Sequence, residues 1–531
     1  MTKDVADVVV VGAGAAGAAL TWRLAQRGAR VVCLEQGDWA QPEDFASARQ
    51  DFEVSLRRGP HSFLPSQRRR PEDYPLVGVG IEPDQIAMHN GVGGGTVHWE
   101  AHFPRFHPSD FRVRGLDAVA DDWPIGYRDL EPYYDLNDRM MGVSGLAGDP
   151  ANAPRSPRPM PALPIGRSAE ALVRGFEKLG WHWWVSDNAV ASRDHDGRSG
   201  CDDRGRCNLG CALRAKASCD VTYWPKALAL GAELRTWTRV RQVVHDAGGR
   251  ATGVLYHDRA GELHEQRASA VVVCCNGIGT PRLLLNSKSP LFPDGIGNGE
   301  GMVGRHFMIH PARYLEASFA EPFETASFSG SPIFSQEFYE TDRSRDFVRG
   351  YSLMIYRPFG PLSVAWGDVE PVPWGAAHHE EMRRRFGHTV GIAVMAEDLP
   401  EPENRVELDG ERADSHGIPA PRVTYRVGDN TRRMLAHGAA SARQALQAAG
   451  ALAIRDNGRI GYFAHLMGTA RMGSDPGRSV VDRWHRVHAV PHLYVVDGSS
   501  FVTSAAVNPT STIGALALRA ADGIWNERGR W

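Results

Sequence analysis

The 531-residue sequence contains only seven cysteines and no long apolar run. An odd number of cysteines, three of them close together, does not resemble the disulfide framework of a secreted domain and fits a reducing compartment. No stretch approaches the ~20 apolar residues that a bilayer-spanning helix needs, so we expect no membrane span. The first residues lead directly into a predicted strand without a signal-peptide pattern. We therefore expect a cytoplasmic protein, or a periplasmic one if it is exported together with a partner subunit.

A strong charge of one sign is also lacking. The formal net charge is -3, with 42% hydrophobic and 23% charged residues. These values are typical of an ordinary globular protein and give no reason to expect nucleic acid or an anionic membrane as a partner. The run Arg68–Arg70 is interpreted as a solvated loop face. A chain of this length exceeds the size at which one hydrophobic core stops growing, so we expect two domains, and the sequence shows no internal repeat.

The N-terminal segment predicts a strand, a glycine-rich turn and a helix. A β-branched run from Asp7 to Val11 is followed by Gly12-Ala13-Gly14-Ala15-Ala16-Gly17, and residues 18–26 have the character of a helix. In such a turn the first glycine permits a tight bend, the second lets the backbone approach a pyrophosphate, and the third allows close helix packing. A second strand ends at Glu35, about where an acidic residue binds ribose hydroxyls. The pattern predicts a dinucleotide site without distinguishing FAD from NAD.

Three of the cysteines form a separate candidate site. Cys201, Cys207 and Cys211 lie in the stretch GCDDRGRCNLGC. Such short spacing lets one loop direct several thiolates to a common point, which an iron–sulfur cluster or a metal ion requires. Three free thiols in a loop are the alternative.

A second glycine-rich segment, NGVGGGTVHWEAHFPRF, covers residues 90–106. Its three consecutive glycines indicate that the backbone passes close to a flat or charged group. His98 and His102 follow these glycines and could face a cofactor. A glycine-rich hairpin is the structural alternative.

The middle of the chain predicts another strand–turn–helix unit, and the residue pattern then changes. Residues 268–275 have a buried-strand pattern, and a helix is predicted over 282–286. Residues 322–422 contain aromatic and β-branched runs broken by proline and glycine, which is typical of an antiparallel sheet. Further predicted elements are strands over 334–339 and 388–395 and a helix from Asp429 or Asn430 to about Gln447.

The C-terminal part contains the largest number of candidate functional residues close together in the sequence. His465 lies in the stretch HLMGT, Asp497 ends a predicted strand, and Asn508-Pro509-Thr510 opens a helix of small residues. A lone histidine or an Asn-Pro step is usually structural. Their occurrence together favours a functional site.

These motifs together resemble those of the glucose-methanol-choline (GMC) oxidoreductases over essentially the whole chain. The resemblance is carried by the N-terminal glycine motif, NGVGGGTVHW, NGIGTPRLLL, the late His and Asn, and the closing PTSTIGALALRAADGI. It implies a mixed α/β fold: a Rossmann-like FAD-binding domain with an antiparallel-sheet substrate-binding domain. We assign residues 1–310 and 461–531 to the FAD-binding domain, with the cysteine loop 199–220 inserted, and residues 311–460 to the substrate-binding domain.

The resemblance also implies functional residues. The family's catalytic pair matches His465 and Asn508. Val240 is expected to meet the adenine of FAD, and Asp497 the flavin end. The residues expected to bind FAD are Gly12, Gly14, Ala15, Gly17, Glu35, Gly93, Gly94, Thr96, His98, Val240, Asp497, Asn508, Pro509 and Thr510.

Within the family the chain is most similar to the FAD-dependent glucose and gluconate dehydrogenase catalytic subunits and to the pyranose or glycoside oxidases. The spacing of Cys201, Cys207 and Cys211 matches the ligand loop of a three-iron, four-sulfur cluster in the dehydrogenase subunits, although Asp202 stands where they have a further cysteine. The stretch Thr96-Val97-His98-Trp99 is similar to the one by which fungal pyranose oxidases tether their flavin. Covalent attachment of FAD to His98 is therefore a further hypothesis.

We expect an enzyme that oxidises a hydroxyl group of a sugar, glycoside or related polyol to a carbonyl. His465 would accept the proton, Asn508 would donate a hydrogen bond to the substrate oxygen, and hydride would pass to FAD. Dioxygen or a soluble acceptor would reoxidise the flavin. The alternatives are a catalytic subunit that passes electrons through an iron–sulfur cluster to a cytochrome, and a non-catalytic flavoprotein scaffold. Candidates to contact a sugar, from the predicted pocket region 310–460, are Tyr356, Trp366, Trp374 and His378, and the equal alternative is that they fill a core.

Overall fold

The computed structural model describes residues 5–48, 53, 73–203, 205, 207–324, 330–357, 360–367 and 369–531, and Arg68–Arg70 lie outside these ranges. In chain order the strands are β1 Val5–Val11, β2 Val31–Leu34, β3 Val77–Val79, β4 Trp184–Val185, β5 Glu233–Arg235, β6 Arg239–His245, β7 Ala251–His257, β8 Leu263–Val273, β9 Met308–Ser318, β10 Ile333–Ser335, β11 Tyr351–Tyr356, β12 Thr389–Ala396, β13 Arg405–Ala413, β14 Pro419–Thr424, β15 Ala453–Arg455, β16 Gly461–Met467 and β17 Leu493–Val495. The α-helices are α1 Ala15–Gln26, α2 Val113–Asp117, α3 Tyr127–Met141, α4 Gly166–Leu179, α5 Tyr223–Ala229, α6 Asn276–Asn286, α7 Pro361–Trp366, α8 His378–Arg385, α9 Asp429–Ala448 and α10 Thr510–Asn526.

The first sheet joins parallel strands from distant parts of the chain. Its order is β5-β2-β1-β8-β7-β6, and β17 also pairs with β8. The strands β5, β2, β1, β8 and β17 are parallel, whereas β8, β7 and β6 pair in antiparallel fashion. Val11 at the end of β1 lies opposite Leu34 of β2 and Val273 of β8. Because these carboxyl ends are in register, the segments that follow β1, β2 and β8 meet at one edge of the sheet, where ligands bind in α/β folds.

The second sheet is antiparallel and has two different faces. Its order is β15-β9-β12-β11-β10-β4, and β16 also pairs with β9. Successive residues of a strand point to opposite faces. Leu315 and Ile392 belong to a buried cluster with residues of α4 and α9, whereas the neighbouring Tyr314 and Ala393 line a cavity. The sheet therefore separates a helix-covered core from a cavity.

A third, smaller sheet has the order β13-β14-β3. With the helices, the three sheets form the mixed α/β architecture that the sequence predicts, and the fold class is confirmed. Of the helices in the described ranges, none is both long enough and apolar enough to cross a bilayer.

The predicted elements are present, but several ends differ. The helix predicted over 282–286 begins earlier, at Asn276, although Pro281 lies inside it. Proline cannot donate the hydrogen bond that Gly277 O would accept within the helix. The hydroxyl of Thr469 donates to Gly277 O at 2.8 Å instead, and this contact between distant residues was not readable from the local sequence.

Three other predicted elements are shorter, shifted or capped by a different residue. The strand predicted over 334–339 is limited to β10, because the chain turns where Tyr339 N donates to Gln336 O at 3.1 Å. The strand predicted over 388–395 is β12, one residue later, and the helix predicted from Asp429 is α9, which Gly428 precedes as the N-cap.

A buried ion-pair network connects the segment around α2 with the second sheet. The guanidinium of Arg349, which is 1% exposed, lies 2.5 Å from Asp110 Oδ1, 2.9 Å from Glu397 Oε2 and 3.2 Å from Asp117 Oδ2. Burial raises the pKa of Glu397 to about 7, even though Arg349 opposes this rise. The negative charges of these three carboxyl groups are therefore balanced by one buried cation.

Candidate functional site

A cavity of about 1180 Å³ lies between the carboxyl edge of the first sheet and the open face of the second. This volume exceeds the ~300–1,000 Å³ of sites for drug-sized ligands, so a dinucleotide and a substrate could share it. Gly17 and Gly93 are not among the residues that line it and lie behind its wall. The predicted site residues that line it are Gly12, Gly14, Ala15, Glu35, Gly94, Thr96, His98, Val240, His465, Asp497, Asn508, Pro509 and Thr510.

The N-terminal glycine-rich turn forms part of the cavity wall. Gly12 has a φ of +99°, and a Cβ there would lie 2.5 Å from the carbonyl oxygen of Cys274. A Cβ at Gly17 would lie 1.9 Å from the carbonyl oxygen of Gly12, so α1 packs directly on the turn. Gly14 is the N-cap of α1 and forms no side-chain cap hydrogen bond. The N–H groups at this helix start therefore favour an anionic group such as a pyrophosphate.

The second glycine-rich segment lies directly against this turn. Gly93 and Gly94 have φ values of +94° and +54°, and a Cβ on Gly94 would lie 2.7 Å from the Cα of Gly14. The Thr96 hydroxyl donates to Gly93 O at 2.6 Å and accepts from Cys219 N at 2.9 Å. Two backbone segments thus enclose the cavity without side chains between them.

Glu35 follows β2 and lies at the same part of the cavity. Its carboxylate accepts hydrogen bonds from Ala13 N at 2.8 Å and from Gly37 N at 2.9 Å. A carboxylate has about four acceptor positions, so the side chain has capacity to accept from ribose hydroxyls as well. The glycine wall, the start of α1 and Glu35 therefore fit the dinucleotide end of FAD.

Asp497 forms another part of the wall. Its Oδ2 accepts from Asn276 N at 2.9 Å and from Thr280 Oγ1 at 2.6 Å, and its Oδ1 accepts from Ser499 N at 2.7 Å. Burial raises the pKa of Asp497, and the hydrogen bonds from Ser499 and Thr280 oppose this rise. The side chain is therefore held firmly against the start of α6.

Three histidines and an asparagine form a continuous chain of contacts beside the second sheet. Asn508 Nδ2 lies 3.3 Å from His465 Nε2, and Asn508 Oδ1 lies 2.8 Å from His102 Nδ1. On the other side of the ring, His465 Nδ1 lies 2.6 Å from His310 Nδ1. His310 Nε2 lies 2.8 Å from the carbonyl oxygen of Ala505.

The hydrogen-bond partners determine the tautomers in this chain. A carbonyl can only accept, so His310 Nε2 carries a hydrogen and Nδ1 of the neutral ring is an acceptor. His465 Nδ1 must then donate, which leaves its Nε2 as a bare lone pair. Asn508 Nδ2 donates toward this lone pair, and Asn508 Oδ1 accepts from His102 Nδ1. An acceptor nitrogen and a donor nitrogen are thus presented at one point of the cavity.

Burial keeps these rings neutral. It lowers the pKa of His310 and of His102 to about 4. Burial, and then His310 and His102, hold the pKa of His465 well below its ordinary value. Neutral His465 keeps its Nε2 lone pair at neutral pH and can accept a proton.

The cysteine loop packs behind the 97–99 segment of the wall. Lys216 Nζ donates to three backbone carbonyl oxygens, those of Val97 at 2.8 Å, Trp99 at 3.0 Å and Cys207 at 2.5 Å. The loop and the wall are therefore held together by one buried cation.

The thiols of this loop are neighbours but do not form a ligand set. Burial raises the pKa of Cys201 to about 12, and the nearby Cys207 and Cys211 add to the rise. Backbone N–H groups donate to sulfur, from Asp203 to Cys201 at 3.4 Å and from Lys216 to Cys211 at 3.5 Å. Within the described residues, no three His, Cys, Asp or Glu side chains are placed to hold a metal ion. The geometry does not support the predicted iron–sulfur cluster.

His98 lines the cavity, with its Nδ1 3.3 Å from the carbonyl oxygen of Asn208. Burial, and then His89 and Lys216, hold its pKa well below the ordinary value. Its covalent attachment to FAD stays a prediction.

The predicted sugar contacts are mostly not in the cavity. Of the four aromatic and histidine candidates, which all lie in the described part of the chain, Tyr356 alone lines it. Trp374 is 84% exposed and stacks on His378 with ring centroids 5.4 Å apart, and Trp366 is 41% exposed. Trp366, Trp374 and His378 do not line the cavity, so their assignment to the pocket was wrong.

Sequence reasoning missed two residues of the site, His310, which lies behind His465, and Glu100, which lines the cavity. His310 contacts a partner 155 positions away in the sequence, and its local sequence shows no distinguishing pattern. Glu100 is a charged residue within the otherwise apolar and aromatic segment 97–103, and this was the available signal.

Comparison with known proteins gives consistent matches. Family models described as GMC oxidoreductase match residues 6–312 and 400–517. The chain is 41% identical to 2-methyl-1,2-propanediol dehydrogenase of Mycolicibacterium austroafricanum, over 98% of this chain and 96% of that protein. It is 32% identical to the fructose dehydrogenase large subunit of Gluconobacter japonicus, over 98% of each. The crystal structure of pyridoxine 4-oxidase from Mesorbium loti matches with a TM-score of 0.68 at 18% identity, over 98% of this chain and 99% of that one.

At 18% identity the structural match shows the fold alone. The two family matches cover most of the chain, and the two relatives are similar over nearly their full lengths. The chain therefore belongs to the GMC oxidoreductase family and is an FAD-dependent oxidoreductase that acts on CH–OH groups.

Proposed function

We propose that this enzyme oxidises a hydroxyl group of a sugar, glycoside or related polyol to a carbonyl and returns its electrons to dioxygen or a soluble acceptor. The observation that carries the proposal is the convergence of His465 Nε2 and Asn508 Nδ2 on one point of a cavity that also contains the glycine turn and Glu35. The similarity to a 2-methyl-1,2-propanediol dehydrogenase and to a fructose dehydrogenase supports an alcohol or sugar substrate.

The residues proposed to hold FAD surround the same cavity. The start of α1 receives the pyrophosphate, Glu35 the ribose, Val240 the adenine, and Asp497 lies at the flavin end. Gly17 and Gly93 act indirectly, because they let the two wall segments approach. The full proposed set is Gly12, Gly14, Ala15, Gly17, Glu35, Gly93, Gly94, Thr96, His98, Val240, Asp497, Asn508, Pro509 and Thr510.

His465 is the proposed proton acceptor. Its contact with Asn508 Nδ2, at 3.3 Å, is longer than an ordinary N–H hydrogen bond and can yield to a substrate hydroxyl. That hydroxyl donates to His465 Nε2 and passes its proton there. Asn508 Nδ2 donates a hydrogen bond to the same oxygen and stabilises the negative charge that develops. FAD, when bound, supplies the acceptor for the hydride that leaves the carbinol carbon, which completes the two-electron oxidation to a carbonyl.

His310 is the proposed positioning residue for this step. Its hydrogen bond to Ala505 O determines which nitrogen faces His465, and so determines which nitrogen of His465 carries the lone pair. Once His465 has accepted the proton, its Nδ1–H still donates to His310. The ring therefore keeps its orientation through the reaction.

The test is anaerobic mixing of the FAD-loaded enzyme with a panel of sugars, glycosides and diols. We expect at least one of them to bleach the absorbance of oxidised flavin, with one carbonyl product formed per flavin reduced. Failure of every polyol and simple alcohol in the panel would overturn the proposal. Oxygen uptake on readmission of air then separates an oxidase from an acceptor-linked dehydrogenase.

A second candidate function is the catalytic subunit of a multi-component dehydrogenase that passes electrons through an iron–sulfur cluster to a cytochrome. It is favoured by the similarity to a fructose dehydrogenase large subunit and by the three neighbouring thiols. Among the residues that the structure describes, no three His, Cys, Asp or Glu side chains are grouped to hold a metal ion, so the geometry adds no support. Anaerobic purification with iron, sulfide and flavin analysis decides: about three irons per FAD would place this function first, and a flavin spectrum without iron would remove the cluster.

A further inference from the structure

Glu100 is a carboxylate that faces the cavity and is not used in the proposed reaction. It lines the cavity beside Trp99, and it precedes by two residues His102, whose Nδ1 lies 2.8 Å from Asn508 Oδ1. Two residues span at most ~7 Å of extended chain. Glu100 and His102 line the same cavity as the catalytic pair, so Glu100 belongs to the wall that adjoins a substrate held there.

Two cations lie near Glu100, the buried Lys216 and the half-buried Arg357, and both are occupied elsewhere. Lys216 donates its three hydrogens to backbone carbonyl oxygens. Arg357 donates to Glu324 Oε1 at 2.9 Å. Both influence Glu100 electrostatically. The Glu100 carboxylate forms no hydrogen bond or ion pair within 4.0 Å with any residue that the structure describes.

The Glu100 carboxylate is thus a hydrogen-bond acceptor without a donor, at a largely desolvated position. Burial raises the pKa of Glu100 to about 7, and Lys216 and Arg357 limit that rise. The nearby imidazoles of His98 and His102 have low pKa values and stay neutral, so they add no charge. Glu100 is half-buried, and a largely desolvated carboxylate without a partner costs free energy that a donor from a ligand would recover.

We propose that Glu100 determines substrate class by accepting a hydrogen bond from a second hydroxyl of the substrate, so that diols and sugars are preferred over monohydric alcohols. The inference rests on the proposed function and deepens it. A neutral hydroxyl suits the position because the two nearby cations would repel an ammonium group. A substrate carboxylate is excluded by repulsion from Glu100 itself.

The experiment compares two substrates that differ by one hydroxyl, 2-methyl-1,2-propanediol and 2-methyl-1-propanol. The kcat/KM for anaerobic flavin reduction is measured with each, in the wild type, in Glu100→Gln and in Asp84→Asn. Asp84 is an exposed carboxylate at the cavity and serves as the matched control. We expect the wild type to prefer the diol, Glu100→Gln to reduce the diol-to-alcohol ratio by about tenfold or more, and Asp84→Asn to retain the ratio.

A measurement on the wild type alone guards against a variant that does not fold. Pinacol and tert-butanol cannot be oxidised, and their binding is followed through perturbation of the flavin spectrum. Tighter binding of pinacol supports the inference, and equal binding overturns it.

The outcomes separate the two proposals. If both oxidisable substrates reduce the flavin but Glu100→Gln keeps the wild-type ratio, or the wild type shows no diol preference, the role of Glu100 is overturned while the proposed function stands. If the wild-type flavin is reduced by neither of these substrates nor by any sugar, the proposed function itself fails.

Discussion

Replacing His310 with phenylalanine removes its hydrogen bond to His465 and its hydrogen bond to Ala505 O while keeping an aromatic ring of similar size. His310 is fully buried, with Nδ1 2.6 Å from His465 Nδ1 and Nε2 2.8 Å from Ala505 O. Without this acceptor, the buried Nδ1–H of His465 has no partner. The tautomer with hydrogen on Nε2, which cannot accept the substrate proton, becomes competitive.

The magnitude follows from the hydrogen bond that is lost. Leaving a buried donor unsatisfied costs about 1–3 kcal/mol, which corresponds to about 5- to 150-fold in the balance between the two tautomers. We expect His310→Phe to slow flavin reduction by substrate within that range. His310 is neutral near pH 7 and accepts a hydrogen bond from Nδ1–H of His465, which stabilises the protonated ring, so its loss should lower the pKa of His465 further. The loss of activity on acidification should then begin at a lower pH than in the wild type.

The assay is stopped-flow reduction of the FAD-loaded enzyme at saturating substrate over a range of pH. His485→Phe is the matched control, since His485 is also fully buried and its Nδ1 bonds the carbonyl oxygen of Val495 at 3.0 Å, but its ring is not bonded to His465. If His310→Phe and His485→Phe give the same rate and the same pH profile, the positioning role of His310 is refuted.

Three further predictions concern the cofactor, stability and pH. Gly17→Ala should lose bound FAD, because its Cβ would lie 1.9 Å from the carbonyl oxygen of Gly12. Gly299→Ala should retain FAD, because a Cβ at that position meets nothing within 4 Å. The ratio of flavin to protein absorbance measures FAD retention in both variants. Arg349→Met should lower the free energy of unfolding by about 3–5 kcal/mol in urea titrations, since it leaves three carboxyl groups without their buried cation, and a loss below about 1 kcal/mol would contradict this. The pKa of Glu100 is raised to about 7. Ionisation of its carboxyl group across that pH should therefore increase the preference for diols as pH rises. In Glu100→Gln the diol-to-alcohol ratio of kcat/KM should not change with pH.

The parts of the fold that follow local rules were predictable from the sequence. The turn from Gly12 to Gly17 and the acid at Glu35 follow the short-range geometry of a strand–turn–helix unit, and the structure places them at one sheet edge. The start of α6 was not predictable, because Pro281 lies inside the helix and the donor to Gly277 O is the hydroxyl of Thr469, far away in the sequence.

The candidate site shows the same division. His465 and Asn508 were identified from motifs, and the structure brings them to 3.3 Å from each other. Their tautomer depends on His310, which is invisible to local reasoning because its partners lie on other elements. Trp374 was assigned to the pocket only because it is an aromatic residue within residues 310–460. An aromatic residue in that range can also lie at the surface, and Trp374 is 84% exposed.

The most direct test of the account is anaerobic flavin reduction in His465→Gln. Glutamine keeps a polar side chain at the position but cannot accept a proton. We expect the variant to retain FAD and to be reduced by the preferred polyol about 10²- to 10⁴-fold more slowly than the wild type, the range that a positioned general base contributes. Reduction at the wild-type rate would show that His465 is not the base and would contradict the central claim.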